Sequence, residues 1–174
     1  LNFAGDGQRA FGEDELAWLH EFAAMAAQGD KDLFGRYRLL DTLMVRLKAL
    51  EATIDEEVET ASPLSQHEEI PPELRDQWEE ESKAAVMAEY RHRRAGFLTA
   101  LQGWLRDVWL HARGLGAERA RFPDLADSAA SVAGRISARD AEANLRLVEQ
   151  TQRTLHTNVG ELLVLEMGLL KLKL

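Results

Sequence analysis

The longest continuous pattern in the sequence runs from Pro72 to Arg113, where apolar residues keep helical spacing for about forty residues without an internal proline. An unbroken helix of this length is roughly 60 Å long. A compact domain of 174 residues is only about 40 Å across, from a radius of gyration near 16 Å. The helix must therefore protrude as half of an antiparallel hairpin or bend, and Gly96 and Gly103 are the expected bends.

Helical spacing extends over most of the remaining chain, and Gly and Pro residues separate the segments. The predicted helices cover approximately residues 13–28, 30–60, 72–113 and 124–133, a segment that starts at Ser137, and the C-terminal residues. We predict an all-α fold, a helical bundle of about five to six helices with a long central antiparallel helix pair. Residues 1–12, with three glycines, are predicted to be a flexible lead-in, and residues 13–174 to be one domain.

Composition limits the chemistry of the chain. It has 30 acidic and 21 basic residues, a formal net charge of −9, and no cysteine. The charge disfavours contact with nucleic acid, and the lack of cysteine excludes thiolate catalysis and cysteine-ligated zinc. The one basic run, residues 91–94, follows Glu79, Glu80, Glu81 and Glu89 at helical spacing, so we interpret it as ion-paired.

Catalytic and cofactor motifs are not found in the sequence. The five histidines are scattered, no Gly-Lys pair provides a Walker loop, and Glu89-x-x-His92 occurs once, whereas di-iron bundles use two such motifs. We predict no catalytic residue, no cofactor and no metal. A carboxylate-bridged di-metal helical enzyme remains an alternative.

Several charged and aromatic residues have two interpretations. The acidic runs 55–59 and 79–81 fit solvated helix faces, with an acidic docking surface as the alternative. Trp78, Trp104 and Trp109 fit a core, with a partner contact as the alternative. In the second helix, an apolar stripe runs from Leu33 and Tyr37 to Val58.

The C-terminal residues 158–174 form an apolar segment, for which we predict a single helix. Asn158 and Glu161 have the spacing of a capping box at its start. One helical face carries Leu162, Leu165, Leu169 and Leu172, and a second carries Val159, Leu163, Leu170 and Leu174. One core needs only one apolar face. A second apolar face means either burial on both sides within the domain or contact with a partner chain. We predict that the first set packs inward and that the second set is a partner interface, with the reverse assignment of the two faces as the alternative.

The same segment resembles a known family. The resemblance is carried by Asn158-Val159, Leu163-Val164-Leu165-Glu166 and Leu169-Leu170-Lys171-Leu172, preceded by a Trp-rich helix over residues 104–109 and by Leu155-His156-Thr157. This order is similar to the end of the delta-prime subunit of the bacterial DNA polymerase III clamp loader, over roughly residues 97–174. The chain departs from the family pattern at Gly160 and Gly168.

The resemblance implies an oligomerisation (collar) domain that follows an AAA+ module and holds ATPase subunits in a ring for sliding-clamp loading. The resembled complex has DNA polymerase and clamp-loading ATPase activity, but this segment would be a non-catalytic scaffold. Its expected partners are other clamp-loader subunits, bound as a hetero-oligomer through the C-terminal helices, in the cytoplasm. Direct ATP binding, DNA contact and membrane association are not expected. A helical adaptor unrelated to replication, with the long hairpin as its binding arm, is a further alternative.

Overall fold

The computed structural model describes residues 11–29, 33–61, 71–115 and 118–174. In these ranges the chain forms six α-helices and no strand, which confirms the predicted all-α fold. The helices are α1 (Glu13–Gln28), α2 (Leu33–Ala61), α3 (Pro72–Ala112), α4 (Ala126–Ala133), α5 (Ala138–Thr154) and α6 (Glu161–Leu169), with a 3-10 turn at Pro123–Leu125. None of the described helices has both the length and the apolar character needed to cross a membrane.

The C-terminal half of α3 is the centre of the fold and packs against α1, α2, α4 and α5. Four aromatic side chains form the middle of the core. The ring centroids of Trp18 and Phe97 lie 5.5 Å apart, and those of Phe22 and Trp104 lie 6.0 Å apart, both edge to face. This geometry is favourable for aromatic pairs. The prediction that Trp104 belongs to the core is confirmed, since its side chain is fully buried.

The other half of α3 forms a projecting hairpin with α2. From residue 74 to residue 93, every described side chain of α3 is half-buried or exposed, and Ile54 is the last buried residue of α2. Arg93 Nη2 lies 2.6 Å from Glu57 Oε2, which fixes the antiparallel register. We call residues 55–61 and 74–92 the arm. Of the two alternatives for the long helix, the structure therefore has the hairpin.

The glycines of α3 do not interrupt it, because one helix runs through both Gly96 and Gly103. Gly103 instead allows the ring of Phe122 to lie close to the backbone of α3. A Cβ atom there would lie 3.0 Å from the ring of Phe122, which is tighter than packed interiors normally allow. The loop after α3 can thus lie against the helix.

Most predicted helix ends are confirmed. Gly29 ends α1 with a positive φ of 81°, and the Ser137 side chain accepts a hydrogen bond from the Asp140 amide at the start of α5. Phe11, which belongs to the predicted lead-in, contacts the core, since its ring lies 5.5 Å from that of Phe122. Residues 1–10, the predicted cap Asp30, the loop 62–70 and Gly116 lie outside the described residues.

The prediction for the C-terminal helix is wrong in its length and its cap. The helix α6 covers nine residues rather than seventeen, and its N-cap is Gly160, without a side-chain cap. Asn158 lies two residues before this N-cap. The Glu161 carboxylate is used elsewhere, because it accepts hydrogen bonds from Tyr90 and Arg94 of α3. Glu161 therefore makes a tertiary contact with α3 instead of the local capping contact that the sequence predicts.

Candidate subunit interface

The short helix α6 is held in place by polar contacts at both ends. Tyr90 and Arg94 bind Glu161 at its start. At its end, Arg36 Nη1 donates to the Leu170 carbonyl oxygen at 3.0 Å. Between these ends, Tyr37 Oη donates to Glu166 Oε1 at 2.8 Å. A nine-residue helix is marginal by itself in water, so these contacts and its buried face determine its position.

The contact at Glu161 is partly buried and charged. The Arg94 side chain is 7% exposed and that of Glu161 is 29% exposed. Burial, followed by the hydrogen bond to Glu161, raises the pKa of Tyr90 above its usual value, which keeps the phenol a proton donor. The hydrogen bond from Tyr37 to Glu166 likewise raises the pKa of Tyr37. Both tyrosines therefore tie α6 to the helices beneath it while remaining neutral.

Replacing Glu161 with alanine is expected to lower the free energy of unfolding by about 1–3 kcal/mol, because Arg94 would be left without its partner. Chemical denaturation measures the change. Glu142→Ala is the matched control, since Glu142 forms an exposed ion pair with Arg146 on α5 and such pairs contribute about 0–1 kcal/mol. Equal effects of the two substitutions would contradict an anchoring role for Glu161.

The helices α5 and α6 cross at Gly168. A Cβ atom on Gly168 would lie 2.3 Å from Thr151 Oγ1 and 2.9 Å from its Cγ2. Thr151 is buried and its hydroxyl donates to the Leu147 carbonyl oxygen. Its branched side chain has few alternative rotamers in a helix. Gly168 therefore interrupts the leucine run because the two helices touch there.

The substitution Gly168→Ala is expected to destabilise the domain by about 1–3 kcal/mol, although alanine favours helix more than glycine does. Adding Thr151→Ala should recover part of the loss, because it removes the two atoms that clash. Denaturation of the two single variants and the double variant gives the coupling. Strictly additive effects would show that this contact does not limit the helix spacing.

After α6, the chain is fastened to α5 by a buried amide. Asn144 Nδ2 donates to the Lys173 carbonyl oxygen at 2.6 Å, and Asn144 Oδ1 accepts from the Lys173 amide at 3.0 Å. This pairing satisfies a buried side chain and two backbone groups together. Lys173 lies in the non-helical tail, and its amide is bonded to Asn144 rather than to the Leu169 carbonyl oxygen that a continuing helix would use.

The inward face of α6 is largely as predicted. Leu165 and Leu169 of α6 are buried, and so is Leu172 in the tail that follows it. The prediction for Leu162 is wrong, because its side chain is 56% exposed. On the helical wheel, Leu162 lies at the edge of the buried arc, next to Leu169. The inward face is completed instead by Val164 and Gly168, which are buried.

The four predicted interface residues do not lie together on one exposed face. Val159 and Leu163 are 46% and 53% exposed. Leu170 and Leu174 are half-buried, and Leu174 packs against the core. The outward face of α6 also includes Met167, which is 51% exposed and lies one turn after Leu163. With 3.6 residues per turn, Met167 lies about 40° from Leu163 on the helix, so helical spacing also places Met167 on this face.

Exposed apolar residues also occur at the start of α2, where the apolar stripe of that helix begins. Leu33, Phe34 and Tyr37 are 64%, 74% and 43% exposed. The hydrogen bond from Tyr37 to Glu166 brings this turn of α2 beside α6. Since Glu166 is one helical turn from Leu162 and Leu163, Tyr37 connects the start of α2 to this exposed side of α6. We call Leu33, Phe34, Tyr37, Leu162, Leu163 and Met167 the α2–α6 surface.

Some of the charged residues singled out in the sequence form ion pairs. Arg93 contacts both Glu57 and Glu89. The contact with Glu89 is the one expected from the ion-paired interpretation of the basic run. Glu89 of the Glu89-x-x-His92 motif is thus paired with a cation. Within the described ranges, no three His, Asp or Glu side chains gather where they could hold a metal ion. The acidic residues of the runs 55–59 and 79–81 are exposed, as predicted for solvated faces.

The tryptophans have different environments. Trp109 is half-buried, and the Arg113 guanidinium lies 5.7 Å from its ring centroid. Trp78 is half-buried on the arm and does not belong to the core cluster. The core interpretation therefore holds for Trp104 but not for Trp78 or Trp109, which lie outside the core cluster.

Comparison with known proteins adds no assignment: no protein-family model, no curated protein and no solved structure matches this chain.

Proposed function

We propose that this chain is a helical assembly domain, the collar-type part of a clamp-loader delta-prime-like subunit. The observation that carries the proposal is the α2–α6 surface, six large apolar or aromatic side chains exposed on two adjacent helices. We propose this family because residues 158–172 resemble the end of the delta-prime subunit.

Scattered exposed apolar residues are common on soluble proteins, whereas contiguous ones mark interaction sites. Here Phe34 and Tyr37 provide aromatic side chains, which are enriched at protein interfaces. Leu162, Leu163 and Met167 provide aliphatic area, and each leucine that becomes buried contributes about 1.5–3 kcal/mol. The surface is also rigidly supported, because Arg36 and Tyr37 are themselves bonded to α6 and to the residue that follows it.

In this proposal the chain acts as a scaffold. Helix-on-helix burial between neighbouring collar domains holds the ATPase subunits in a ring while nucleotide-driven motions open the sliding clamp. The partners are other clamp-loader subunits in the cytoplasm. The chain itself contributes no catalytic residue and binds neither ATP, metal nor DNA.

The proposal is tested by mixing the full chain with the clamp-loader ATPase subunits of the same organism and measuring the molar mass of the eluted species by light scattering. We expect a stoichiometric hetero-oligomer. Elution of the chain as a separate species at micromolar concentrations of all subunits would contradict the clamp-loader proposal.

A helical adaptor unrelated to replication is the second candidate. The observation that favours it is the arm, which projects from the core and carries Trp78 outside the core cluster. Under this alternative, association would depend on the arm and not on the α2–α6 surface.

A further inference from the structure

The arm contains a groove that the packing of the domain does not use. It lies between α2 and α3, has a volume of about 440 Å³, and is lined by Val58, Ala61, Trp78 and Ala85. Trp78 and Val58 are half-buried, whereas the two alanines are exposed. The core cluster of α3 begins only at Phe97. The groove is therefore an apolar surface at a distance from the core that stabilises the domain.

The groove has an acidic rim. Glu57, Glu81 and Glu89 line it together with one cation, Arg93. Arg93 is already paired with both Glu57 and Glu89. Glu81 accepts a hydrogen bond from Gln77, which is uncharged. The rim thus keeps an excess of negative charge after its internal ion pair is formed.

The surrounding arm has the same sign of charge. Residues 55–61 carry four acidic side chains and no basic one, and residues 74–85 carry four acidic and two basic side chains. Such a concentration of one charge attracts cationic partners and repels anionic ones. Nucleic acids and anionic membrane surfaces are disfavoured for this reason.

We propose that the arm groove binds a basic amphipathic helix of a partner protein. An amphipathic helix places its apolar side chains into an apolar groove, here against Trp78 and Val58. Its lysine and arginine side chains would then meet the carboxylates of Glu57 and Glu81. Trp78 also offers an aromatic face to a cation and is the residue type that most often dominates binding energy. This inference does not depend on the function proposed for the α2–α6 surface.

The test uses the full chain and a synthetic helical peptide of about four turns, made of leucine and lysine with the leucines on one face. A second peptide with glutamate in place of lysine is the charge control. Calorimetry measures the affinity of each peptide. We expect the lysine peptide to bind, its affinity to fall with added salt, and the glutamate peptide not to bind.

Matched variants locate the binding site. Glu57→Gln with Glu81→Gln removes two charges from the rim, and Glu56→Gln with Glu79→Gln removes two charges from the exposed surface of the same arm. We expect the first pair to weaken binding about tenfold or more and the second pair to change it by less than about threefold. Ala85→Lys, at an exposed position of the groove, should also abolish binding while preserving helicity.

Three results would overturn the proposal. The first is that the lysine peptide does not bind the wild-type chain. The second is that the two charge variants weaken peptide binding equally. The third is that a folded Ala85→Lys variant binds the lysine peptide as tightly as the wild-type chain does. Circular dichroism of each variant verifies the fold, and Ala85→Lys keeps the test valid if loss of the Glu57–Arg93 ion pair loosens the arm.

Discussion

Replacing Asp107 with alanine is expected to lower the free energy of unfolding by about 2–5 kcal/mol. The side chain is 1% exposed, and its carboxylate accepts the backbone N–H groups of Arg121 and Phe122 at 2.8 to 2.9 Å. Alanine would leave both donors without acceptors, and each buried unsatisfied group costs about 1–3 kcal/mol. The loop that Asp107 holds carries Phe122, which packs on Phe11, so part of the core would loosen with it.

Urea denaturation of wild type, Asp107→Ala and Asp107→Asn checks this expectation. Asparagine keeps one acceptor oxygen and should lose less stability than alanine. Asp55→Ala, at an exposed position of the arm, is the control and should change stability by less than about 0.5 kcal/mol. An Asp107→Ala variant as stable as the control would contradict the assigned role of the carboxylate.

The helices could be predicted from the sequence wherever local signals specified them. The helix α1 begins and ends at the predicted residues. Its end could be predicted because Gly29 provides the positive φ that ends the helix. Ser137 starts α5 through its own side chain. Such signals act within a few residues and so can be read without knowledge of the fold.

The misassigned features depend on contacts that are distant in sequence. Glu161 is 67 residues from Arg94, and the capping pattern at Asn158 gave no indication of that partner. The pairing of Asn144 with Lys173 in the non-helical tail likewise joins residues that are 29 positions apart. Asp107 resembles any helix-surface carboxylate in sequence, and only the returning loop at Arg121 and Phe122 shows its role.

The candidate interface was predicted only in part for a related reason. Helical periodicity found two apolar faces on α6, but the edge of the buried arc depends on which neighbouring helices lie beneath it. Leu162 falls beyond that edge, and the Leu170 carbonyl oxygen is bound by Arg36. The contribution of Phe34 and Tyr37 could not be seen, because nothing local places the start of α2 beside α6.

Replacing Leu163 with Asp and Met167 with Lys is expected to abolish association while leaving the domain folded. Both side chains are about half exposed in the isolated chain. The new pair has i, i+4 spacing, which favours helix through an ion pair. If both residues are buried by a partner, their loss costs about 3–6 kcal/mol in total. That corresponds to a weakening of about a hundredfold or more.

The control for this variant carries the same two charges elsewhere. Leu74→Asp with Met87→Lys places them at exposed apolar positions of the arm, which are 42% and 47% exposed. Both variants have the same net charge as the wild-type chain. Circular dichroism and thermal denaturation verify that each is folded before association is measured.

The most direct test of the assembly proposal is the affinity of these three proteins for the clamp-loader ATPase subunits, measured by light scattering of the eluted complex over a concentration series. We expect the wild-type chain and the Leu74→Asp, Met87→Lys variant to form the hetero-oligomer equally well, and the folded Leu163→Asp, Met167→Lys variant to elute alone. Normal assembly of a folded Leu163→Asp, Met167→Lys variant would contradict the claim that the α2–α6 surface is the subunit interface.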